Sequence, residues 1–315
     1  MMKLPLSLFL AFSVGALAAD PFDNAPPVAE EVEEVSPFDT PLPVTADPYP
    51  IELDHSRGTL SLEHQDGEYI PGSHFATWKW TLDAPRWGRY YVSLRYTSDQ
   101  AKLGVNVKIG ESVVKSYAPR SGGVDDENSI VLGLIYLEKA GELPVSLLTG
   151  DLSQGPSFYV KGVDLIPAPE SDHPSDQGID GTISLLAERA TTYSNLMRYE
   201  PDPEKNCLGW WVDKDDWAEW KFEVSQPGTF QVALTKGCGN GNAGSEIALL
   251  INGKKKTFTV KDTGGFQDWV TVDLGTIELE HGGPNKVAIA PQTQAAKGIM
   301  DVQKIVLTPV LTTAQ

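Results

Sequence analysis

Side chains able to do chemistry gather between residues 206 and 269. Trp210, Trp211 and Trp217 stand there among Asp213, Asp215 and Asp216, in a stretch rich in turn formers. An indole stacks on the apolar face of a pyranose ring, while carboxylates and amides take the hydroxyls around its edge, so aromatics beside acids are what a sugar site requires. The alternative for each tryptophan is that it plugs one end of a β-sandwich. The segment Lys236 to Glu246 follows, with Gly237, Gly239, Gly241 and Gly244 and with Asn240 and Asn242. Glycine reaches positive φ without steric cost, so this loop can fold tightly and bring backbone amides close to a ligand. A third loop, Asp262 to Trp269, adds polar groups beside Phe266. The expected ligand-binding set is Trp210, Trp211, Asp216, Trp217, Asn240, Asn242, Glu246, Asp262 and Phe266.

Catalytic constellations find little support. His55, His64, His74, His173 and His281 are scattered singly, with neither the HExxH spacing of a zinc peptidase nor a GxSxG nucleophile elbow. Asp215 or Asp216 could serve as one of the paired carboxylates of a glycosidase, but loop acids of this kind are expected to be solvated. The chain is therefore read as a binder and not as an enzyme. Cys207 and Cys238 are its two cysteines. In an oxidising compartment they are expected to form a disulfide joining two loops of one domain, the alternative being two buried thiols.

The elements that must position these groups read as β throughout. Ala218, Trp220, Phe222 and Val224 alternate with Trp217, Glu219, Lys221 and Glu223, and a turn at Gln226-Pro227-Gly228 leads into Phe230, Val232 and Leu234. This pattern predicts a hairpin with one buried face. Further short apolar runs follow, Ile247 to Ile251 ahead of the turn Asn252-Gly253 among them, and no helical period of any length intervenes. Such spacing predicts an antiparallel sandwich. An internal repeat accompanies it. Phe75 to Trp80 matches Trp217 to Phe222 at an offset of 142, and Leu132-Gly133, Ile135, Leu137-Glu138 and Gly141 match Leu274-Gly275, Ile277, Leu279-Glu280 and Gly283 at the same offset. Val163, Leu165 and Pro167 fall likewise on Ile305, Leu307 and Pro309. The expectation is all-β, with two tandem antiparallel sandwiches at 51–168 and 179–311 joined by a linker at 169–178. The first copy lacks the glycine loop, so the second is the expected binder.

Residues 1–19, with Lys3 ahead of a short apolar run closing on Ala18-Ala19, read as a secretory signal peptide. Residues 20–50 hold eight acids, eight prolines and no Lys or Arg, which predicts a disordered spacer. That spacer carries nearly half of the net charge of −18. An acidic surface repels polyphosphates, so nucleic acid is a poor partner, and after the leader no run approaches the ~20 apolar residues of a membrane span. The expected location is secreted or periplasmic. The expected partner is a polysaccharide or glycan, with a protein partner through the spacer or the first copy as a further possibility.

The run Ala187-Glu188-Arg189-Ala190, then Gly209-Trp210-Trp211, Asp215 to Trp220, the glycine loop and Ile299-Met300-Asp301-Val302 resemble the galactose-binding-like β-sandwiches, specifically carbohydrate-binding modules of the family 6 and family 35 type. The resemblance is clear over 179–311 and reaches 51–168 mainly through the repeat. It implies a jelly-roll fold and sugar-contacting aromatics on the loops. It also implies a structural calcium held by acids of the first and last strands, here Glu188 and Asp301, although Leu186 replaces the first acid of the usual Glu-Ala-Glu pattern. Because no catalytic domain accompanies the modules, a structural or protein-binding role in the cell envelope stands beside glycan capture, and glycoside hydrolysis is the remote third reading.

Overall fold

The computed structural model describes residues 50–72, 75–100, 102–123, 125–150, 158–173 and 175–310. The signal peptide and all but the last residue of the spacer lie outside the described residues. Those described form strands and two 3-10 turns, with no α-helix among them. From residue 60 to 167 the strands are β1 (Leu60–Glu63), β2 (Glu68–Pro71), β3 (Ala76–Ala84), β4 (Gly88–Ser98) and β5 (Lys102–Ile109), then β6 (Ser112–Pro119), β7 (Asn128–Leu137), β8 (Gly141–Thr149) and β9 (Phe158–Pro167). They make two sheets, ordered β1-β9-β4-β7 and β2-β3-β8-β5-β6. Trp78, Trp80, Leu82, Tyr90, Val92, Leu94, Val107 and Leu147 fill the core between them.

The second half begins with β10 (Ser175–Asp176), β11 (Ile183–Leu186), β12 (Ala190–Tyr193), β13 (Arg198–Glu200) and β14 (Cys207–Gly209). It continues with β15 (Trp217–Val224), β16 (Gly228–Gly237), β17 (Glu246–Ile251), β18 (Lys254–Thr259), β19 (Val270–Leu279), β20 (Gly283–Pro291) and β21 (Asp301–Pro309). One sheet runs β10-β15-β20-β17-β18 with β12 also on β15; the other runs β13-β14-β21-β16-β19 with β11 also on β21. A separate core, including Trp220, Phe222, Phe230, Val232, Leu249, Ile289, Ile305 and Leu307, lies between these sheets. The central strand paths agree in the two halves, with β3-β8-β5-β6 answering to β15-β20-β17-β18 and β9-β4-β7 to β21-β16-β19.

Three expectations change on contact with the pairing. Ala218, Trp220, Phe222 and Val224 face the core as the alternation requires, but the turn after Val224 does not close a hairpin. β15 pairs with β20 and β12, whereas β16 pairs with β19 and β21 in the opposite sheet. A period of two fixes which face of a strand is buried and says nothing about which strand is its neighbour. In the second half a two-residue hairpin is closed by Asn252-Gly253, with φ of 45° and 79°, between Ile251 and Lys254.

The second change concerns the repeat. Ala84 opposes Gly141 and Val224 opposes Gly283, so β3 answers to β15 at an offset of 140 (224 − 84) while β8 answers to β20 at 142 (283 − 141). Trp80 is therefore the counterpart of Trp220, and each donates its indole N–H to a carbonyl beside the short strand covering it, Glu63 O at 2.9 Å and Leu186 O at 2.8 Å. The match of Phe75 to Trp80 with Trp217 to Phe222 at 142 is slipped by two residues, a slip that leaves every side chain on its own face, whereas the two later blocks keep 142, Leu137 answering to Leu279 and Pro167 to Pro309. The offset passes from 140 to 142 in the glycine loop, because Tyr96 answers to Lys236 but Val105 to Ile247. That loop is longer by two residues in the second half.

Thirdly, Trp217 and Glu219 are buried although they lie on the outward face of β15. A small second core of Trp217, Ala248, Leu250, Ala288 and Ala290 sits on that face, and Ile51, Leu53 and Tyr193 cover it. The residues just ahead of β1 thus lie on the second half of the molecule.

Candidate functional site

The second half carries a cleft of about 430 Å³ lined by Glu200, Lys205, Trp210, Trp211, Val212, Asn242, Phe266, Gln267, Lys297, Gly298 and Asp301. Its walls come from the ends of β13 and β21 and from the loops that follow β13, β14, β16, β18 and β20. Trp210, next after β14, is 52% exposed and has φ of 61°. A bulky side chain in the left-handed region is an outlier costing about 1–3 kcal/mol, and it persists only where its surroundings hold it. Here Trp210 Nε1 donates to Glu200 Oε1 at 3.2 Å, and the Arg198 guanidinium lies 4.6 Å from its ring centre. Trp211 is buried in the main core, and its Nε1 has no hydrogen-bond partner among the described residues.

The far wall is Phe266, and three glycines pack against it. A Cβ at Gly239 would stand 2.7 Å from Phe266 Cε2, one at Gly298 2.8 Å from Phe266 Cζ, and one at Gly237 2.0 Å from the Phe266 carbonyl oxygen. Close approach by the phenylalanine is thus the reason for glycine at these positions. Asn242 ties the same loops together: its Oδ1 accepts from Gly298 N at 2.9 Å, and its Nδ2 donates to Gly239 O at 3.3 Å and Asn240 O at 3.2 Å.

At the floor, ligating atoms of Glu200, Cys207 and Asp301 lie within 4.8 Å of one another, all three buried. Burial, with Glu200 as the next influence, pushes the Asp301 carboxyl up to about 7, while Gln267 Nε2 donates to it at 3.2 Å. Burial also pushes the Cys207 thiol up, and its Sγ lies 3.8 Å from Asp301 Oδ2. The thiol therefore keeps its proton at neutral pH, and the Asp301 carboxyl titrates around neutrality. Lys205 Nζ sits 3.2 Å from Glu200 Oε1 as the counter-charge. Two carboxylates and a thiol equal the three-donor count of a zinc site, but Lys205, Trp210 and Gln267 already occupy part of their hydrogen-bonding capacity.

Of the nine expected ligand residues, Trp210, Trp211, Asn242 and Phe266 meet in this cleft. The other five serve elsewhere. Trp217 is 1% exposed, stacks on Tyr193 with 3.9 Å between ring centres, takes the edge of His55 at 4.8 Å, and donates to Asp54 O at 2.9 Å. Asp216, expected beside a ligand, instead accepts from Ser194 Oγ at 2.6 Å and Arg57 Nε at 2.8 Å in a buried clamp. Asp262 is exposed and braces the glycine loop, accepting from Gly241 N at 3.2 Å and Gly264 N at 2.7 Å. Asn240 is exposed at the tip of that loop. Glu246 is exposed at the start of β17, outside the cleft lining.

The cysteines are free thiols, which corrects the expected bridge. Cys207 opens β14 and Cys238 follows β16, and β21 runs between those strands. Two strand spacings put roughly 9–10 Å between the cysteine backbones, beyond the ~7 Å a disulfide spans. Nor do the residues fit a calcium shell of six to eight oxygens. Glu188 lies 4.0 Å from Arg189, Leu186 is paired opposite Lys304, and Asp301 belongs to the floor with Glu200 and Cys207.

Sequence reasoning missed Glu200, Lys205, Gln267 and Lys297 as lining residues. Arg198 and Glu200 share one face of the three-residue β13, too short a strand to show a period, and nothing local marks them.

A family described only as a domain of unknown function (DUF5077) matches residues 193–311. No curated protein matches the chain. Similar solved structures include the C-terminal family 6 carbohydrate-binding module of LamC, a marine laminarinase from Zobellia galactanivorans, at 18% identity over 40% of this chain and 98% of that one, with a TM-score of 0.33. A family 35 module from Clostridium thermocellum is 15% identical over 41% of this chain and 98% of that one, TM-score 0.34. The Podospora anserina GH26-CBM35 β-(1,4)-mannanase is 16% identical over 39% of this chain, TM-score 0.29, and the match spans 31% of its length. The modules among these are galactose-binding-like β-sandwiches.

Proposed function

We propose that the protein captures carbohydrate in the cleft beside Trp210, without chemical turnover, and that it does so outside the cytoplasm, to which residues 1–19 direct it. In this reading it consists of two related sandwiches, 51–168 and 179–311, of which the second binds. The observation that carries the proposal is the fixed, half-exposed indole of Trp210, held at positive φ over a cleft with an aromatic wall opposite and polar groups between. Strain of that kind in a bulky residue is maintained where a site needs the side chain in one place. Trp210 offers a stacking face, while Gln267 and Lys297 offer hydrogen bonds to ring hydroxyls.

The test is affinity electrophoresis of the exported protein through gels containing galactomannan, laminarin or xylan. Retardation by at least one polysaccharide is expected, and Trp210→Ala should weaken it at least tenfold with the melting temperature kept within a few degrees, stacking contacts being worth about 1–3 kcal/mol. Equal retardation of Trp210→Ala and wild type would move any sugar site elsewhere, and release of reducing ends would reinstate an enzyme.

A further inference from the structure

The turn between β3 and β4, in the first half of the molecule, packs on residues of the second half that lie behind Trp210. Arg86, 3% exposed, donates from Nη2 to Thr192 O at 3.1 Å, which anchors the turn on the second half. The next residue, Trp87, lies against Arg198, with the guanidinium carbon 3.6 Å from its ring centre. The same guanidinium rests 4.6 Å from the ring of Trp210. Arg198 is itself 5% exposed. Its Nη1 donates to Leu196 O at 3.0 Å, and its Nε has no hydrogen-bond partner among the described residues. A buried cation with so few hydrogen bonds depends on the faces of the rings around it. Glu200, two residues along β13, holds the other handle of Trp210 through the indole N–H.

We infer that Trp87 is a positioning residue for the cleft: through Arg198 it holds the ring of Trp210 in the orientation that faces a ligand, so the first half of the chain takes part in binding on the second. Trp87 does not line the cleft, and its effect passes through the guanidinium. Removing the Trp87 ring leaves Arg198 with water or a void on that side, and the guanidinium then turns toward the new solvent and withdraws from Trp210. An indole held by its N–H alone is free to swing about that bond. A smaller aromatic ring at position 87 preserves the stack, whereas an aliphatic side chain of similar volume fills the space without the π face.

This inference rests on the carbohydrate reading, and its test separates the two. Trp87→Phe and Trp87→Leu are prepared in the full chain. Hydroxyl-radical oxidation of Trp210, read by mass spectrometry without any sugar, should rise in Trp87→Leu and stay at the wild-type level in Trp87→Phe. Retardation in galactomannan, laminarin or xylan gels should weaken about tenfold in Trp87→Leu, the size of one desolvated cation–π contact, and be retained in Trp87→Phe. Oxidation of Trp210 equal in all three proteins would overturn the inference whatever the gels show. Raised oxidation in Trp87→Leu with unaltered retardation would also overturn it, because the held orientation would then be irrelevant to binding. Wild type that passes every gel unretarded while the oxidation pattern holds would count against the carbohydrate reading and leave the Trp87, Arg198 and Trp210 stack supported.

Discussion

Asp301 shows what burial does to a single carboxyl. Its pKa is pushed up to about 7 by desolvation first and by Glu200 second, against about 3.9 in an unfolded chain. Between those values the folded state keeps a proton that the unfolded state has released, so this group favours folding least where both forms would ionise. Its contribution therefore falls as pH rises from 4 toward 7 and is flat above that, by an amount on the order of 4 kcal/mol at the upper bound. Asp301→Asn removes the titration and leaves an acceptor for Cys207. Urea unfolding at pH 5 and pH 7.5 should show the variant gaining on wild type at the higher pH, and parallel losses in the two proteins would sink this account of the floor. Single residues were the least legible in the sequence. Trp210 and Trp217 carry the same side chain seven positions apart, yet one is half exposed and the other buried. The difference is made by Asp54 and His55, more than 160 residues upstream of Trp217, and no local pattern carries that information.

At the scale of elements the sequence was more telling. Alternation located β15 and β16, glycines and asparagines located the loops, and Asn252-Gly253 located a hairpin, because each of these is decided by neighbours in the chain. Partner strands are decided by tertiary packing, so the supposed hairpin after Val224 became a crossing between sheets, and the 75–80 block of the repeat could be read two residues out of step. The glycine loop allows a test of its own. Gly239 and Gly241 look alike in sequence, but only Gly239 stands against Phe266, while Gly241 has φ of 79° and open space around its Cβ position. Gly239→Ala should push the ring into the cleft and cost about 1–3 kcal/mol through overpacking, with sugar retardation lost as well. Gly241→Ala should cost about 1 kcal/mol through backbone strain alone and leave retardation intact. Thermal melts of both variants alongside the gels check this, and equal retardation by the two would mean that Phe266 is not a wall of the site.

Across the whole molecule, two cores that share no residue are joined by the apolar cover of Ile51 and Leu53 and by polar and aromatic contacts. Arg57 lies between the covering segment and β1, and pairs with Asp213 and Asp216. Asp216 is 1% exposed, and burial raises its pKa while Ser194 and Arg57 lower it. His55 and Trp217 pack beside that clamp, and Arg86 with Trp87 forms a second attachment. Taking away one partner of a buried ion pair leaves the other charged and unpaired, a loss of about 3 kcal/mol or more. Arg57→Met keeps the length of the side chain and removes its charge, so the loss should fall on the second core, where Asp216 remains, and on the grip between the halves. Calorimetry of wild type should give one cooperative transition, because each core is held by the other through both attachments. In Arg57→Met the transition should divide, the second half melting first and the first half near its original temperature. At acid pH, where Asp216 takes up a proton and needs no partner, the two transitions should draw together again. If Arg57→Met instead melts as one unit at an unchanged temperature, residues 51–57 are a passive cover, and the second attachment at Arg86 and Trp87 holds the halves together by itself.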